Sequence, residues 1–301
     1  MITARIHGGL GNQMFQYAAA RALSLHNNDQ LRIDPSRLFD PTPWKGNPFR
    51  NYGLSIAFNI DPQFITIAKI MDRVRIPYVA KAVNKFYART MARLGVWQYV
   101  GDPNPHVFDP NFFNLKGNLY VNGYYQSEKY FKNYEAEIRK DFTFRPQMEG
   151  ATAKLAQEIS SVNAVSLFVR RQEVLRIPRL REQYYVATPE YFERAVELMK
   201  QKAGPNPVFY VSSDEIDWCR ENFKIDADHV FVGDEHNGPE FGNALHLMAL
   251  CKHFIIPNSS FSWWAAWLSE NKQKVVIAPK YWVTDKNADT RDILPETWIK
   301  A

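Results

Sequence analysis

Short, uniformly apolar runs rich in β-branched residues recur through the second half of the chain, separated by stretches with helical character. Runs this hydrophobic are typical of strands buried on both faces, in a parallel sheet that helices cover on each side. We predict strands at 165–169, 208–211, 230–232, 254–256 and 275–278, alternating with helices that begin near residues 151, 189, 215, 244 and 261.

The first half of the chain predicts a less regular unit of the same α/β class. We predict a strand at 2–7, a glycine turn, a helix at 12–25, strands at 31–34 and 119–123, and a helix at 128–142. The segment 145–150, RPQMEG, interrupts both periodicities and is the best candidate for a linker. We therefore predict an N-terminal domain at 1–145 and a C-terminal domain at 151–301, which suits a chain of 301 residues.

The composition, with 46% apolar and 23% charged residues, is that of a folded protein and excludes long disorder, collagen and coiled coil. The two cysteines, Cys219 and Cys251, cannot supply a disulfide framework or a four-ligand zinc site, and they favour a reducing compartment. No run is long and apolar enough to cross a bilayer, and the N-terminus does not read as a signal peptide. We expect a cytoplasmic protein.

Positive charge is concentrated between residues 65 and 95, where seven basic residues and one acidic residue give +6 in a chain of net charge +5. Apolar residues recur through this insertion at spacings compatible with amphipathic helices. The favoured interpretation is the solvated face of a helical hairpin, and the alternative is peripheral contact with an anionic membrane. No nucleic-acid motif accompanies the charge, so we predict no nucleic-acid partner.

Polar clusters follow three of the predicted strands of the second half. Carboxyl ends of parallel strands meet at one edge of a sheet, where ligands bind. Arginine forms forked hydrogen bonds to phosphate, and serines that open a helix add hydroxyl and N–H donors. Helix capping alone would explain each serine cluster, but all three clusters together favour a diphosphate. The clusters are Arg170 with Arg171, Ser212 with Ser213 and Asp214, and Asn258 with Ser259 and Ser260.

Other motifs are weaker. Gly9 and Gly11 lie between a strand and a helix, as in a dinucleotide fingerprint, but Met14 occupies the third glycine position. The histidines are scattered without the spacing of metal ligands, and no zinc site or catalytic triad can be argued.

Three blocks carry a resemblance to a known family. They are GGLGNQMFQY from Gly8, GYYQSEKYF from Gly123 and LCKHFIIPNSSFSWWAAWL from Leu250. In these blocks, their order and their spacing, the chain resembles the family 11 glycosyltransferases, the galactoside α-1,2-fucosyltransferases. The resemblance implies a GT-B-like fold with two Rossmann-like domains facing a cleft and a parallel sheet in the C-terminal donor domain. It also implies GDP-fucose as donor, a galactose-containing glycan as acceptor, inversion at the anomeric carbon, and no cofactor or required metal.

The resemblance, together with the pattern at the strand ends, assigns roles to individual residues. Arg170 would bind the β-phosphate and neutralise the leaving charge, and Glu173 is the candidate base, although an ion pair between Glu173 and Arg176 or Arg179 explains it equally well. The predicted acceptor-side residues are Gly9, Gly11 and Gln13. The predicted donor-binding residues are Asn12, Arg171, Ser212, Ser213, Asp214, Asn258, Ser259, Ser260 and Phe261.

The chain departs from the family pattern where relatives read the guanine base. Phe168 stands where the family has histidine, and Ala244 stands where relatives have aspartate. A methyl group offers no acceptor to guanine. We therefore expect relaxed base selectivity, a different nucleotide sugar, or recruitment of a backbone carbonyl or Asp214. The alternative functions are a related glycosyltransferase with another donor and a non-catalytic nucleotide or glycan binder.

Overall fold

Two units, each built round a parallel β-sheet, make up the chain. Unit 1 comprises Met1–Arg145 and Arg291–Ile293, and unit 2 comprises Pro146–Thr290 and Leu294–Ala301. The structure, a computed structural model, describes residues 1–39, 50–66, 86, 90–145, 147–184 and 187–301, and only the backbone of Gln172 and Glu173.

Unit 1 has four parallel strands in the order β2-β1-β4-β3. Helix α1, of 17 residues, is rich in alanine and buried along most of its length, which suits a good helix former packed against the sheet. The described residues of unit 1 include four short 3₁₀ helices, at Ser36–Phe39, Phe112–Asn114, Glu128–Tyr130 and Lys132–Tyr134. Its described strands and α-helices include β1 (Ile2–Arg5), α1 (Leu10–His26), β2 (Leu31–Asp34), α2 (Leu54–Ala57), β3 (Gln98–Gly101), β4 (Leu119–Asn122) and α3 (Glu135–Asp141).

Unit 2 has six parallel strands in the order β10-β9-β8-β5-β6-β7. Its 3₁₀ helices lie at Asp234–His236 and Pro239–Phe241. The strands are β5 (Asn163–Val169), β6 (Pro207–Ser213), β7 (His229–Phe231), β8 (His253–Ile255), β9 (Val276–Ala278) and β10 (Ile299–Lys300). The α-helices are α4 (Gly150–Ser161), α5 (Gln172–Arg176), α6 (Pro178–Tyr184), α7 (Pro189–Lys202), α8 (Ile216–Asn222), α9 (Gly242–Leu250) and α10 (Ser260–Leu268).

The core of unit 2 follows from the alternation of side chains along the strands. On β5, Val165, Leu167 and Val169 point to one face and pack with residues of α7 and α8. Phe168 points to the other face, where its ring lies 5.9 Å from that of Phe261 on α10. Helices therefore cover both faces of the parallel sheet, as predicted.

The five strands predicted in the second half are confirmed, with shifted ends. Strand β10 and helices α5 and α6 were not predicted. In unit 1, β3 lies between the predicted strands at 31–34 and 119–123, and it was missed because three of its four residues are exposed and carry no apolar run. The predicted helix at 128–142 is wrong in its first half, where Ser127 caps a 3₁₀ helix and Phe131 breaks the helical backbone.

The boundary between the units falls between residues 145 and 146, and Arg291–Ile293 group with unit 1. Asp292 accounts for the latter, because it accepts a hydrogen bond from the Phe108 N–H at 2.8 Å and pairs with Lys129 at 2.6 Å. Most of the predicted basic insertion, 65–95, lies outside the described residues, so its membrane contact stays a prediction. None of the helices in the described ranges is both long enough and apolar enough to cross a membrane.

Candidate functional site

The strand order of unit 2 reverses at one point. The chain runs from β5 outward through β6 and β7, then crosses back to β8 on the opposite side of β5. Neighbouring loops diverge above the carboxyl ends of the two strands at such a switch point, and ligands of open parallel sheets bind in the resulting crevice. Arg170 follows β5 and Asn258 follows β8, so two of the predicted polar clusters flank this point.

Arg170 connects these two clusters. Its Nη1 atom donates a hydrogen bond to the carbonyl oxygen of Asn258 at 3.4 Å, across 88 positions of sequence. The side chain is half-buried. A guanidinium is therefore held two residues from the start of helix α10, as the sequence pattern requires.

The start of α10 adds a second feature that favours anions. Ser259 is the N-cap residue, 4% exposed and with an extended backbone, and its side chain makes no capping hydrogen bond. The first N–H groups of a helix have no intrahelical acceptor and carry a partial positive charge. The N–H groups that begin with Ser260 can therefore donate to an anion, and Arg170 supplies a full charge at the same sheet edge.

Asn258 itself braces the surrounding loops. Its Nδ2 atom donates to the carbonyl oxygen of Tyr184 at 2.8 Å and to that of Trp282 at 3.0 Å. These bonds join the end of α6 to the loop after β9. We predicted Asn258 for donor binding; its side-chain N–H groups donate to backbone carbonyls, so the residue positions the loops.

Arg171 has a different environment from Arg170. Its guanidinium carbon lies 3.7 Å from the centroid of the Trp218 ring, and its Nε atom lies 3.1 Å from a carboxylate oxygen of Glu215. The Arg171 N–H donates to Asp214 at 2.7 Å. Arg171 and Asp214, both predicted to bind the donor, therefore link the turn after β5 to the turn after β6.

The two serines that end β6 also differ. Ser213 Oγ accepts the N–H of Glu215 at 2.9 Å, which stabilises the turn before α8. Ser212 Oγ is buried and has no hydrogen-bond partner among the described residues. Ser212 pairs in register with Phe168 on the neighbouring strand. Its hydroxyl therefore lies beside Phe168, one of the two positions at which we predicted a departure from the family pattern.

The positions where we expect departures from guanine reading, Phe168 and Ala244, carry an aromatic and an aliphatic side chain. The rings of Phe168 and Phe261 lie 5.9 Å apart at 47°, and both side chains are half-buried. Ala244 lies in the first turn of α9 and is also half-buried. These side chains offer ring faces and a methyl group, so they provide apolar contact. The side chain of Glu173 lies outside the described residues, and its role as base stays a prediction.

In unit 1, the glycine turn after β1 is braced by Gln13. Gly8 has φ +83°, a left-handed conformation that favours glycine, and Gly9 is the N-cap residue of α1. Gln13 Nε2 donates to the carbonyl oxygens of Gly8 and Asn51 at 2.9 and 2.8 Å, and its Oε1 accepts the Gly53 N–H at 3.0 Å. Gln13 thus shapes the backbone, and Gly11 is buried in the first turn of α1.

Two of the three sequence blocks meet at this turn. Strands β1 and β4 are neighbours, and the strand order of unit 1 reverses between them. Asn12 Oδ1 accepts a hydrogen bond from Gln126 Nε2 at 2.8 Å, and Gln126 follows β4 in the GYYQSEKYF block. We did not predict a role for Gln126; its place in a block directly after a strand was the available signal.

Two histidines near this turn are uncharged at neutral pH. Burial, with the charges of Arg5 and Arg37, lowers the pKa of His7 from 6.5 to about 4. The ring of His7 lies edge-on to Tyr124, with 4.8 Å between centroids. Burial likewise lowers the pKa of His106 to about 4, against a side-chain hydrogen bond to Gln126 that raises it. Unit 1 therefore has neutral imidazoles and amides near the turn after β1, with Arg5 and Arg37 close enough for their charges to act on His7.

The family model for glycosyl transferase family 11 matches residues 106–301. An α-1,2-colitosyltransferase of Escherichia coli is 31% identical over 311 residues, which cover 100% of this chain and 98% of that protein. The chain belongs to glycosyl transferase family 11. The resemblance in the three sequence blocks is thereby confirmed, and so is the prediction of a glycosyltransferase.

Two further comparisons agree with this assignment. The galactoside α-(1,2)-fucosyltransferase 1 of Mus musculus is 26% identical over 272 residues, covering 87% of this chain and 62% of that protein. The fucosyltransferase NodZ from Bradyrhizobium superposes with a TM-score of 0.52 at 15% identity, over 89% of this chain and 91% of that structure. This likeness concerns the fold, and it confirms the predicted GT-B-like α/β class.

In the described part of this family 11 chain, no group of three or more His, Cys, Asp and Glu side chains could hold a metal ion. Both cysteines are buried and unpaired with one another, and burial raises the pKa of both thiols. Metal independence and the absence of a cofactor stay predictions.

Proposed function

We propose that the chain transfers L-fucose from GDP-fucose to the 2-hydroxyl of a galactoside, with inversion and without a metal ion. Family membership supports glycosyl transfer, and the names of relatives with α-1,2 specificity support the linkage. NodZ, which shares the fold, has been crystallised with GDP and soaked with GDP-fucose. Unit 2 would bind the donor, and unit 1 would contribute to acceptor binding.

The observation that carries this proposal is the hydrogen bond from Arg170 to the Asn258 carbonyl beside the start of α10. In the reaction, the acceptor oxygen bonds to the anomeric carbon as the bond from that carbon to the diphosphate oxygen breaks. The electron pair leaves with the diphosphate, so negative charge grows there. A fixed guanidinium with helix N–H donors then stabilises the transition state more than the ground state.

The proton of the acceptor hydroxyl must also leave, and Glu173 is our candidate to receive it. Glu173 lies in α5, three positions after Arg170. Replacing Glu173 by glutamine keeps the shape and removes the basic oxygen. We expect this variant to lose transfer while donor hydrolysis without acceptor persists; equal loss of both reactions would contradict the role of base.

The nucleotide base would be held mainly by apolar contact. Phe168 and Phe261 offer ring faces, and Ser212 Oγ is a buried hydroxyl without a protein partner beside them. Without a carboxylate at position 244, discrimination between bases should be weaker than in an enzyme that reads guanine by charge-assisted hydrogen bonds. Calorimetric titration with GDP, UDP, dTDP and ADP tests this, and a strong preference for GDP would contradict it.

A second donor is favoured by one observation, the 31% identity with an α-1,2-colitosyltransferase along the whole chain. Colitose is L-fucose without the 3-hydroxyl group. A site that hydrogen-bonds this hydroxyl rejects the deoxy sugar strongly, whereas a site that meets it with apolar atoms discriminates weakly. Rates measured with GDP-fucose and GDP-colitose therefore distinguish the two proposals.

The decisive experiment is a transfer assay with purified protein, GDP-fucose and lactose, with and without EDTA. We expect GDP release that depends on lactose, persists in EDTA, and yields an α-1,2 linkage by NMR. Arg170→Ala should abolish it, and Arg179→Ala, which removes an exposed arginine from α6, should not. Binding of GDP without release of sugar from either donor would contradict the proposal.

A further inference from the structure

A groove of about 440 Å³ lies in unit 2 beside the short helices α5 and α6. Pockets for small ligands have volumes of about 300–1,000 Å³. The groove is lined by Leu175, Pro178, Arg181, Glu182 and Thr284. None of these residues belongs to the diphosphate-binding set proposed above.

The walls of the groove are tied together by hydrogen bonds. The Thr284 N–H donates to the carbonyl oxygen of Gln183 at 2.9 Å, and the Thr284 hydroxyl donates to the carbonyl oxygen of Glu182. Asn258 adds its bonds to Tyr184 and Trp282. The loop after β9 is therefore fixed against the end of α6, and a ligand would find much of the groove already formed.

The lining combines the groups that a sugar ring requires. Leu175 and Pro178 offer apolar surface to the C–H face of a pyranose. Arg181 donates hydrogen bonds, Glu182 accepts them, and the Thr284 oxygen retains acceptor capacity. A purely apolar ligand would cover the Arg181 and Glu182 side chains without hydrogen-bonding to them, and the Glu182 carboxylate disfavours a strongly anionic ligand.

The groove is also close to the proposed reaction centre along the chain. The Leu175 N–H donates to the carbonyl oxygen of Arg171 at 2.9 Å, so the lining begins one helical turn after the arginine pair. We infer that this groove binds one or two uncharged sugar units of the acceptor glycan, beyond the unit that receives the transferred sugar. The inference rests on the proposed function, because it needs a glycan acceptor.

The test compares two acceptors and two arginine variants. The short acceptor is methyl β-galactoside, and the long one is a neutral tetrasaccharide that ends in galactose. Arg181→Ala removes a charged donor of the lining, and Arg179→Ala removes an exposed arginine of the same helix outside the lining. We expect Arg181→Ala to raise KM for the long acceptor about tenfold, a typical effect of losing a charged hydrogen bond. It should leave KM for the short acceptor and donor hydrolysis unchanged.

A second measurement keeps the inference independent of turnover. Saturation-transfer NMR should show the tetrasaccharide contacting the wild-type protein through its sugar units distant from the terminal galactose, and Arg181→Ala should weaken those signals alone. Equal KM values for Arg181→Ala and Arg179→Ala on the long acceptor would overturn the inference and leave the proposed function intact. A change in KM for the donor would mean that the groove binds the donor, and this result would also overturn the inference. Failure of the wild type to transfer sugar to either acceptor or to hydrolyse the donor would overturn both.

Discussion

Units 1 and 2 place different chemistry at the same topological position. In unit 1 the chain leaves β1 through a glycine turn into α1, and in unit 2 it leaves β5 through two arginines towards α5. Both strands lie where the strand order of their sheet reverses. Unit 1 has amides and neutral histidines at this position, with the charges of Arg5 and Arg37 close enough to act on His7, whereas unit 2 has a guanidinium hydrogen-bonded beside a helix N-terminus.

The difference suits the proposal that unit 2 binds the donor and unit 1 contributes to acceptor binding. Charged donors in a partly buried site favour an anion, because a low local dielectric strengthens their interaction with it. Amides and neutral imidazoles suit hydroxyl groups, which both donate and accept. Under this proposal, the residues that follow the first strand of each sheet would set the ligand class of each unit.

The largest expected effect comes from removing the guanidinium charge of Arg170 in unit 2. Arg170→Ala should lower kcat about 100- to 1000-fold, by analogy with the removal of one donor from an oxyanion site. Steady-state GDP release measures it, and circular dichroism serves as the control for folding. A loss below tenfold would show that the helix N-terminus suffices without the guanidinium.

The next largest effect concerns two side-chain amides, one in each unit, that hydrogen-bond to backbone groups of their own unit. Asn258→Ala and Gln13→Ala each remove hydrogen bonds to backbone groups, and we expect each to cost about 2–3 kcal/mol of unfolding free energy in urea. Only Asn258→Ala should also weaken GDP binding, because only its loops lie at the proposed diphosphate site. Equal weakening by Gln13→Ala would contradict the division of roles between the units.

Acid should destabilise unit 1 through its two neutral histidines. The pKa of His7 and of His106 in the folded protein lies near 4, below the ordinary value of 6.5. At pH values between 4 and 6.5, these histidines therefore bind a proton in the unfolded chain but not in the folded one. Stability therefore falls as the pH drops from about 6.5 towards 4, by about 1–2 kcal/mol per histidine between pH 7 and 5. Urea unfolding of His7→Gln at both pH values should show a smaller difference than the wild type; an unchanged difference would contradict the lowered pKa.

The smallest expected effect distinguishes the role of Arg171 from that of Arg170. The Arg171 side chain is 28% exposed and lies on Trp218 near Glu215, contacts within the unit. Arg171→Ala should cost about 0.5–1.5 kcal/mol of stability and lower kcat less than tenfold. If Arg171→Ala were as damaging to kcat as Arg170→Ala, the guanidinium of Arg171 would belong to the reaction centre.

Much of the fold was predictable, because buried parallel strands have a strong local signature. The strands from Val165 to Ala278 are apolar on both faces, and their residues alone predict a covered parallel sheet. The exposed strand β3 and the two short helices after Arg171 lack such a signature and were missed. Their formation depends on neighbours that are distant in sequence.

The sequence by itself determined the α/β class, the family and the placement of three polar clusters after three strands, since parallel strands bring their carboxyl ends to one edge wherever they occur. Only the tertiary structure decided how the members of those clusters differ. It set Arg170 against the Asn258 carbonyl, Arg171 against Trp218, and the amide of Asn258 between two loops. The physical reason is that strand burial follows a short-range pattern, whereas these contacts join residues tens of positions apart and depend on how the helices pack.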